Sequence, residues 1–299
     1  MSLGSIYLKS LQKFKHGLPT AWYRDVIRPQ ILTTKPFEET TSTLCEIHVL
    51  TSHDDYLNLI WTLKSFYYYS KSNYSLCIHS DGTLHEDEIS LLKFHFPHAR
   101  VILKNDADAI MTQALYNYPL ALNFRQSNHL SPKVFDFKYF LESDKMLLLD
   151  SDILFFSSPV ELIRRIEDLA YRKNTVNKDA MYGYTIPLED VQARLDFELI
   201  PYFNSGLGLI HKESVNFDWI EKFLSLPNIV GHFWRIEQTL FALCSSKFGV
   251  ELLPSEYDVR LDNNVKGLAS RHYVGTIRHL MYAEGIRQLQ QRNFLKNIS

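Results

Sequence analysis

The stretch that most constrains the fold is residues 145–156, where apolar residues surround Asp150-Ser151-Asp152. Four apolar residues lead into the first aspartate and four more follow the second. A short continuous apolar run is typical of a strand buried within a sheet, although periodicity alone does not separate it from a buried helix. In an extended chain residues i and i+2 point to the same face, so Asp150 and Asp152 are expected to converge.

Two converging carboxylates in apolar surroundings are unfavourable unless a proton or a cation compensates their charge. Carboxylate oxygens are ligands that suit a hard divalent cation. The stretch therefore predicts a metal site at Asp150 and Asp152. The alternative is an ordinary turn or a solvated pair, which is what most Asp-x-Asp sequences form, and the apolar context favours the metal.

Strand-like and helix-like segments alternate before this stretch, at a spacing that predicts a parallel α/β sheet with right-handed crossovers. Ligands of such sheets bind outside the carboxyl ends of the strands. Thr51, Asp81 and Asp150 all stand at such ends. The predicted strands are 46–51, 75–79 and 100–103, and the predicted helices are 56–69, 85–96 and 135–141.

The second half of the chain predicts further helices at 159–171, 217–226 and 237–244, with a polar loop reaching residue 178. Strands are predicted at 181–185 and 251–254. Residues 201–210 alternate glycine with apolar residues, and glycine in a strand indicates either a bulge or the close approach of another group.

Length and composition bound the class of protein. The chain has 299 residues, 45% of them hydrophobic, which suits one large domain or two small ones. We predict a helical or irregular extension over residues 1–43, with helical spacing at 5–14, a main domain over 44–285 and a tail over 286–299. A formal net charge of −2 argues against nucleic acid as a partner.

The cysteines and the hydropathy pattern bear on the compartment. Cys45, Cys77 and Cys244 show neither zinc spacing nor a disulfide framework, which favours a reducing environment. The sequence contains no run of 18 apolar residues and no signal-peptide pattern at its start. We therefore expect a cytoplasmic protein without a transmembrane segment, and peripheral contact with a membrane stays open.

The motifs, taken in order, resemble those of the GT-A nucleotide-sugar glycosyltransferases, most closely glycosyltransferase family 8, the glycogenin-like group. The resemblance covers roughly residues 45–280. The matching segments are Asp150-Ser151-Asp152 for the Asp-x-Asp motif, Phe203-Asn204-Ser205-Gly206 for the Phe-Asn-Ser-Gly strand, Glu237-Gln238 for Asp-Gln, His272 to Arg278 for His-x-x-Gly-x-x-Lys, and Arg125 and Lys133 for two upstream basic residues.

Four positions depart from the family pattern. Arg278 replaces a lysine, which keeps the charge and can grip a pyrophosphate with two hydrogen bonds. His279-Leu280 replaces Pro-Trp, which puts the local backbone in doubt. Glu237 is one methylene longer than the family's aspartate, so its carboxylate would lie further from the backbone.

The resemblance implies a GT-A fold, that is, a mostly parallel Rossmann-like sheet flanked by helices with a small antiparallel subsheet. It implies retaining transfer of a sugar from a nucleotide-sugar donor, UDP-linked by default, to an acceptor hydroxyl on a glycan, lipid or protein. Asp150, Asp152 and His272 would hold Mn²⁺ or Mg²⁺, and the imidazole favours Mn²⁺. The alternatives are a non-catalytic nucleotide-sugar or carbohydrate-binding protein on the same fold and, less favoured, a phosphohydrolase with an aspartate nucleophile.

The resemblance also assigns roles at the site. The acceptor side and the catalytic step fall to Glu237, Gln238 and Lys133. Thr51 and Asp81 are expected to contact the base and the ribose of the donor nucleotide. Arg125, Lys133 and Arg278 are expected to offset the charge of its phosphates. The full predicted donor set is Thr51, Asp81, Arg125, Lys133, Asp150, Ser151, Asp152, Asn204, Ser205, Gly206, His272, Gly275 and Arg278.

Overall fold

Two sheets organise the chain. The computed structural model describes residues 14–38 and 42–299. Its strands are β1 Ser42–Thr51, β2 Tyr74–Ser80, β3 Arg100–Ile102, β4 Lys145–Leu149, β5 Ile153–Phe155, β6 Asn174–Lys178, β7 Phe203–His211, β8 Val250–Leu252 and β9 Ser270–His272. Seven of them form one sheet in the order β3-β2-β1-β4-β7-β6-β8, and β5 pairs with β9 in a small second sheet.

The large sheet is mostly parallel, because β7 alone runs against its neighbours β4 and β6. The β5–β9 pair is antiparallel. The expected α/β architecture, with a mostly parallel central sheet and a small antiparallel subsheet, is therefore confirmed.

Helices cover both faces of the large sheet, so its central strands are buried on both sides. In β4, Leu147 and Leu149 join one hydrophobic cluster while Met146 and Leu148 join the other. The α-helices are Leu18–Trp22, Tyr56–Ser70, Glu86–His95, Lys104–Ala114, Pro119–Ser127, Ser131–Val134, Asp136–Phe140, Val160–Glu167, Leu188–Gln192, Phe217–Leu224, Ile236–Phe248, Arg287–Gln291 and Phe294–Asn297. Shorter 3₁₀ or π turns span Tyr23–Ile27, Arg28–Thr33, Lys212–Ser214, Ser255–Tyr257, Gly275–Ile277 and Met281–Ile286.

The apolar stretch around the aspartates is not one continuous strand, which corrects the expectation from the sequence. The chain leaves the large sheet after Leu149, turns, and enters β5 of the small sheet. Asp150 N still donates to Gly206 O at 2.8 Å, whereas Tyr273 N donates to Asp152 O at 2.9 Å. The backbone thus exchanges β7 for β9 as its partner between the two aspartates.

The strand predicted at 181–185 is also wrong, because the sheet instead uses the polar segment Asn174–Lys178. Asn174 is fully buried there. Its Nδ2 donates to Ser214 Oγ and Ser245 Oγ, both at 2.9 Å, and its Oδ1 accepts from His211 N at 2.8 Å. A polar side chain with its bonds satisfied can occupy a buried strand, and an apolar pattern does not detect it.

Residues 14–38, called the N-terminal arm below, pack against the rest of the chain. Ile27 and Ile31 are buried in the same hydrophobic cluster as β1. Lys35 N donates to Ile298 O near the end of the chain at 3.2 Å. The helix predicted over 5–14 lies almost wholly outside the described residues, and the domain boundaries at 43 and 285 stay predictions. Across the described residues, every helix falls short of the length and apolarity that a membrane span requires.

Candidate functional site

A cavity of about 1120 Å³ opens at the carboxyl ends of β1 and β4, where parallel α/β sheets bind their ligands. The sequence singled out most of its polar wall in advance. The cavity brings together Thr51, Asp81, Lys133, Asp150, Ser151, Asp152, Asn204, Ser205, Glu237, Gln238, His272, Gly275 and Arg278.

A cluster of two carboxylates and an imidazole occupies one wall. The turn between β4 and β5 carries Asp150 and Asp152, and the antiparallel register of β5 with β9 sets His272 opposite Ile153. His272 Nε2 lies 3.1 Å from Asp152 Oδ1 and 3.7 Å from Asp150 Oδ2. One ligand atom from each residue falls within 4.8 Å of the others. Two carboxylates and one imidazole form a donor set suited to a divalent cation such as Mn²⁺.

The orientation of the His272 ring is fixed from behind. Its Nδ1 lies 3.0 Å from Asn204 Oδ1, which also accepts from Gly206 N at 3.0 Å. An amide oxygen only accepts, so we assign the proton to Nδ1, and Nε2 then faces the aspartates. Histidine ligands of metals are commonly held in this way through their other nitrogen.

Gly206 leaves the room that this ring requires. A Cβ at this position would stand 2.2 Å from His272 Cε1, well inside contact distance. Gly208 is equally restricted, by Val176 Cγ1 at 2.7 Å and by the Thr175 carbonyl oxygen at 2.9 Å. The close approach predicted from the glycines of this strand is confirmed. The alternative of a bulge also has a counterpart, because β7 pairs in regular register with β4 but its register with β6 shifts between Val176 and Lys178.

Charge within the cluster favours ionised partners. Burial disfavours the charged form of Asp152, but His272 and Arg278 outweigh it and lower the pKa of the carboxyl. Burial likewise opposes protonation of His272, yet Asp152 and Asp150 outweigh it and raise the pKa of the imidazole. Asp152 and His272 thus each stabilise the charged form of the other.

Lys133 connects this cluster to the other wall. Its Nζ lies 2.8 Å from Asp150 Oδ1 and 3.2 Å from Glu237 Oε1, and it donates to Ser205 O at 3.1 Å. Burial opposes its charge, but the two carboxylates outweigh that effect and raise the pKa of Lys133. Burial also raises the pKa of Glu237, against the influence of Lys133.

Arg278 reaches the cavity from the turn after β9. Its NH2 lies 2.7 Å from Asp55 Oδ1 and 3.7 Å from Asp152 Oδ2. Asp55 is the residue before the helix Tyr56–Ser70, and no pattern in the sequence singled it out. Arg278, which stands where the family has a lysine, therefore keeps a positive charge beside Asp152.

Asp179 is a second cavity residue that the sequence did not reveal. Its Oδ2 accepts from Asn204 Nδ2 at 3.0 Å and from Gln238 Nε2 at 3.4 Å. Gln238 also donates to Gly183 O at 3.2 Å. Asp179 follows β6 directly, and the failure to predict that strand hid a carboxylate at its end.

Arg125 does not reach the cavity. The helix Pro119–Ser127 buries its side chain against Asp136, with Arg125 Nε 2.6 Å from Asp136 Oδ1. Arg125 NH2 also lies 2.9 Å from Asp108 Oδ1. Two carboxylates therefore neutralise this arginine away from the site, which corrects its prediction as a donor-binding residue.

Gly206 likewise lies behind the cavity wall, where its role is to leave room for the His272 ring.

Two further His-containing clusters occur among the described residues. His48, Cys77 and His79 converge within the core, and His53, His85 and Glu88 converge at the surface. In the buried cluster His48 Nε2 is 3.0 Å from Glu46 Oε2, and His48 Nδ1 is 3.0 Å from His79 Nε2. Of the three clusters, that of Asp150, Asp152 and His272 lines the cavity.

Comparison with known proteins identifies the fold. Neither a protein-family model nor a curated protein sequence matches the chain. Solved structures do match it. Mouse xyloside xylosyltransferase 1 in its apo form aligns with a TM-score of 0.52 at 13% identity, over 81% of this chain and 99% of that one.

Two further solved structures match the chain. The galactosyltransferase LgtC in complex with donor and acceptor sugar analogues gives a TM-score of 0.53 at 16% identity, over 83% of this chain and 95% of that one. The bifunctional glycosyltransferase WbbM, apo, gives 0.52 at 15% identity, over 80% of this chain and 47% of that one.

These neighbours are glycosyltransferases of the GT-A class, and this chain has the GT-A fold. At such low identity the likeness establishes the fold and leaves the activity to the site.

Proposed function

We propose that the chain is a metal-dependent glycosyltransferase of the family 8 type, which moves a sugar from a UDP-sugar to an acceptor hydroxyl with retention of anomeric configuration. The observation that carries the proposal is the cluster of Asp150, Asp152 and His272, oriented by Asn204 and open to the cavity. A GT-A fold with this donor set at the carboxyl edge of its sheet has the parts that a nucleotide-sugar site requires.

The first requirement is to bind the donor's diphosphate. Asp150, Asp152 and His272 Nε2 would hold Mn²⁺, or Mg²⁺, and a bound cation supplies Lewis-acid stabilisation of the leaving diphosphate. Arg278 and Lys133 add fixed positive charge on either side of the cluster. Positive charge held ready in a buried site stabilises the charge that develops on the leaving group.

The second requirement is to orient the sugar and the acceptor. Gln238 lines the cavity with its amide fixed at both ends, because Nε2 donates to Asp179 and Gly183 and Oε1 accepts from Ser205 N at 3.3 Å, so it would help to shape the sugar pocket. Glu237 is 3% exposed and is engaged by Ser205 and Lys133. This arrangement suits a positioning residue that holds Lys133 better than it suits a nucleophile. Attack by the acceptor on the face that the diphosphate leaves, with the proton passing to a phosphate oxygen, then accounts for retention.

The acceptor would enter past an aromatic rim. His129 and Trp234 line the mouth of the cavity with ring centroids 5.0 Å apart, and Phe233 packs on both. Trp234 is 63% exposed and lies three residues before Glu237. An exposed aromatic face with polar groups beside it suits the apolar face of a sugar ring. A glycan acceptor is therefore the class to test first.

The proposed location is a reducing compartment, the cytoplasm, with peripheral contact with a membrane left open. The support is that Cys45, Cys77 and Cys244 are all buried free thiols.

A ligand panel read by thermal unfolding tests the proposal. Wild-type protein with Mn²⁺ is expected to unfold at a higher temperature in the presence of a cognate nucleotide sugar, because a ligand that binds only the folded state stabilises it. The panel is UDP- and GDP-sugars, each with Mn²⁺ and with EDTA. Asp152→Asn should lose the shift because it removes a charged metal ligand, while Asp87→Asn, an exposed change elsewhere, should keep it. A shift that persists in Asp152→Asn or in EDTA would contradict the metal assignment.

A further inference from the structure

The N-terminal arm contributes a side chain to the cavity wall. Arg28 begins the 3₁₀ turn Arg28–Thr33 directly after the π turn Tyr23–Ile27, and its side chain lines the cavity with Asp152 and Arg278. Short π segments are frequent at functional sites.

Arg28 is held in place on two sides. Its carbonyl oxygen accepts from Trp61 Nε1 at 2.9 Å, and its neighbour Ile27 is buried in the core. The guanidinium carbon lies 5.3 Å from the centre of the Tyr282 ring, which also lines the cavity. The arm therefore fixes the guanidinium in position without any bound ligand.

The guanidinium still has donors to offer. Arg28 NH1 donates to Asn58 Oδ1 at 3.1 Å, and among the described residues neither NH2 nor the buried Nε has a hydrogen-bond partner, so NH2 is the donor left for a ligand. Throughout residues 14–38 and 42–299, no carboxylate forms an ion pair with Arg28, although Lys133 and Arg278 each have two. A half-buried arginine with a free donor and no anionic partner is suited to an anionic ligand.

A chain of polar contacts places Arg28 beside the candidate metal cluster. Asn58 Nδ2 donates to Asp55 Oδ1 at 3.2 Å, and Asp55 Oδ1 lies 2.7 Å from Arg278 NH2. Arg278 in turn lies 3.7 Å from Asp152. The anion that Arg28 can reach is consequently the one that Arg278 and the metal cluster would bind.

We propose that Arg28 binds the diphosphate of the donor, so that the N-terminal arm forms part of the donor site. This inference rests on the proposed function and adds to it a residue outside the segment that resembles the family. The planar fork of an arginine matches phosphate oxygens, and the carboxylates of Asp150 and Asp152 would offset the charge of the metal, so that a diphosphate there still requires further positive charge.

Calorimetric titration of the full chain tests this role. With Mn²⁺ present, wild-type protein is titrated with UDP, GDP and ADP, and the tightest of these is compared with its monophosphate. Arg28→Gln is expected to weaken binding of the diphosphate by about 10- to 100-fold, which corresponds to the loss of one charge-assisted hydrogen bond. It should weaken binding of the monophosphate much less. The diphosphate affinity of Arg28→Lys should lie between those of wild type and Arg28→Gln. Arg164→Gln, an exposed arginine on another helix, is the matched control.

The outcomes separate the two claims. If wild-type protein binds none of the nucleotides, the proposed function fails and this inference fails with it. If wild-type protein binds a diphosphate and Arg28→Gln binds it equally well, the function stands and the role of Arg28 is rejected. If Arg28→Gln weakens the binding of the diphosphate and of the monophosphate by the same factor, Arg28 only holds the arm in place, and the inference is again overturned.

Discussion

Gly206 sets the position of the His272 ring, because the imidazole occupies the space that a side chain would take. The same ring is fixed by Asn204 and faces Asp150 and Asp152. The sequence pointed to this glycine as a place of close approach but left open what approached it. The answer required the antiparallel pairing of β5 with β9, which no local pattern specifies.

Gly206→Ala should both destabilise the protein and weaken metal binding. The added methyl would lie 2.2 Å from His272 Cε1, so the ring must move. We expect a loss of about 1–3 kcal/mol in the free energy of unfolding, as for other overpacked cores. Gly275→Ala is the control, because its Cβ would meet no atom within 4 Å. Chemical denaturation and Mn²⁺ titration measure both effects, and equal behaviour of the two variants would contradict the packing argument.

Glu237→Gln should lower turnover more than donor affinity. The change removes the charge that holds Lys133 at 3.2 Å and leaves the side chain nearly the same size. We expect kcat to fall by about 10-fold or more while the donor KM changes by less, since one positioned charge contributes at this scale. Glu86→Gln, an exposed glutamate on the helix Glu86–His95, should behave as wild type. Steady-state kinetics of Glu237→Gln with an unchanged kcat would remove Glu237 from the mechanism.

At the scale of elements, apolar strands and helices were predictable because each carries its period in the sequence. The strands β1, β2, β3, β7 and β8 and the helix Tyr56–Ser70 appear where expected. The predictions of two elements were wrong, each for a physical reason. The polar strand β6 depends on bonds from Asn174 to residues far along the chain. The break after Leu149 depends on a change of strand partner.

The helix Glu86–His95 ends in a buried ionisable group. His95 is completely buried, and among the described residues neither of its ring nitrogens has a hydrogen-bond partner. Burial, with Lys64 nearby, lowers the pKa of His95 to about 4. The unfolded chain therefore binds this proton more readily than the folded chain between about pH 6.5 and pH 4.

Stability should accordingly fall as the pH drops through that window. We expect His95→Leu to remove the contribution of this group, so that its advantage over wild type grows by about 1.4 kcal/mol per pH unit below pH 6.5 and levels off near pH 4. Ser90→Ala on the same helix is an exposed, non-ionisable control. Urea denaturation from pH 4 to pH 8 measures the difference, and an advantage that does not change with pH would contradict this account.

At the scale of the whole molecule, distant segments assemble the cavity. Asp150 and Asp152 come from the middle of the chain, His272 and Arg278 from near its end, and Arg28 from the N-terminal arm. Most of the residues that the motifs predicted line this one cavity, and their roles stay predictions. Asp55, Asp179 and Arg28 were missed because each is defined by a contact across the fold and lies outside those motifs.

The central claim is that this cavity cleaves a nucleotide sugar with the help of a divalent metal. The most direct measurement is release of nucleoside diphosphate from a panel of UDP- and GDP-sugars, in Mn²⁺ and in EDTA, with and without glycan acceptors. We expect wild-type protein to release nucleoside diphosphate only in the presence of Mn²⁺. The release should be lost in Asp152→Asn and should increase with an acceptor. Nucleotide binding without release from any donor would instead indicate a binding protein on this fold, and release that continues in EDTA would contradict the metal site.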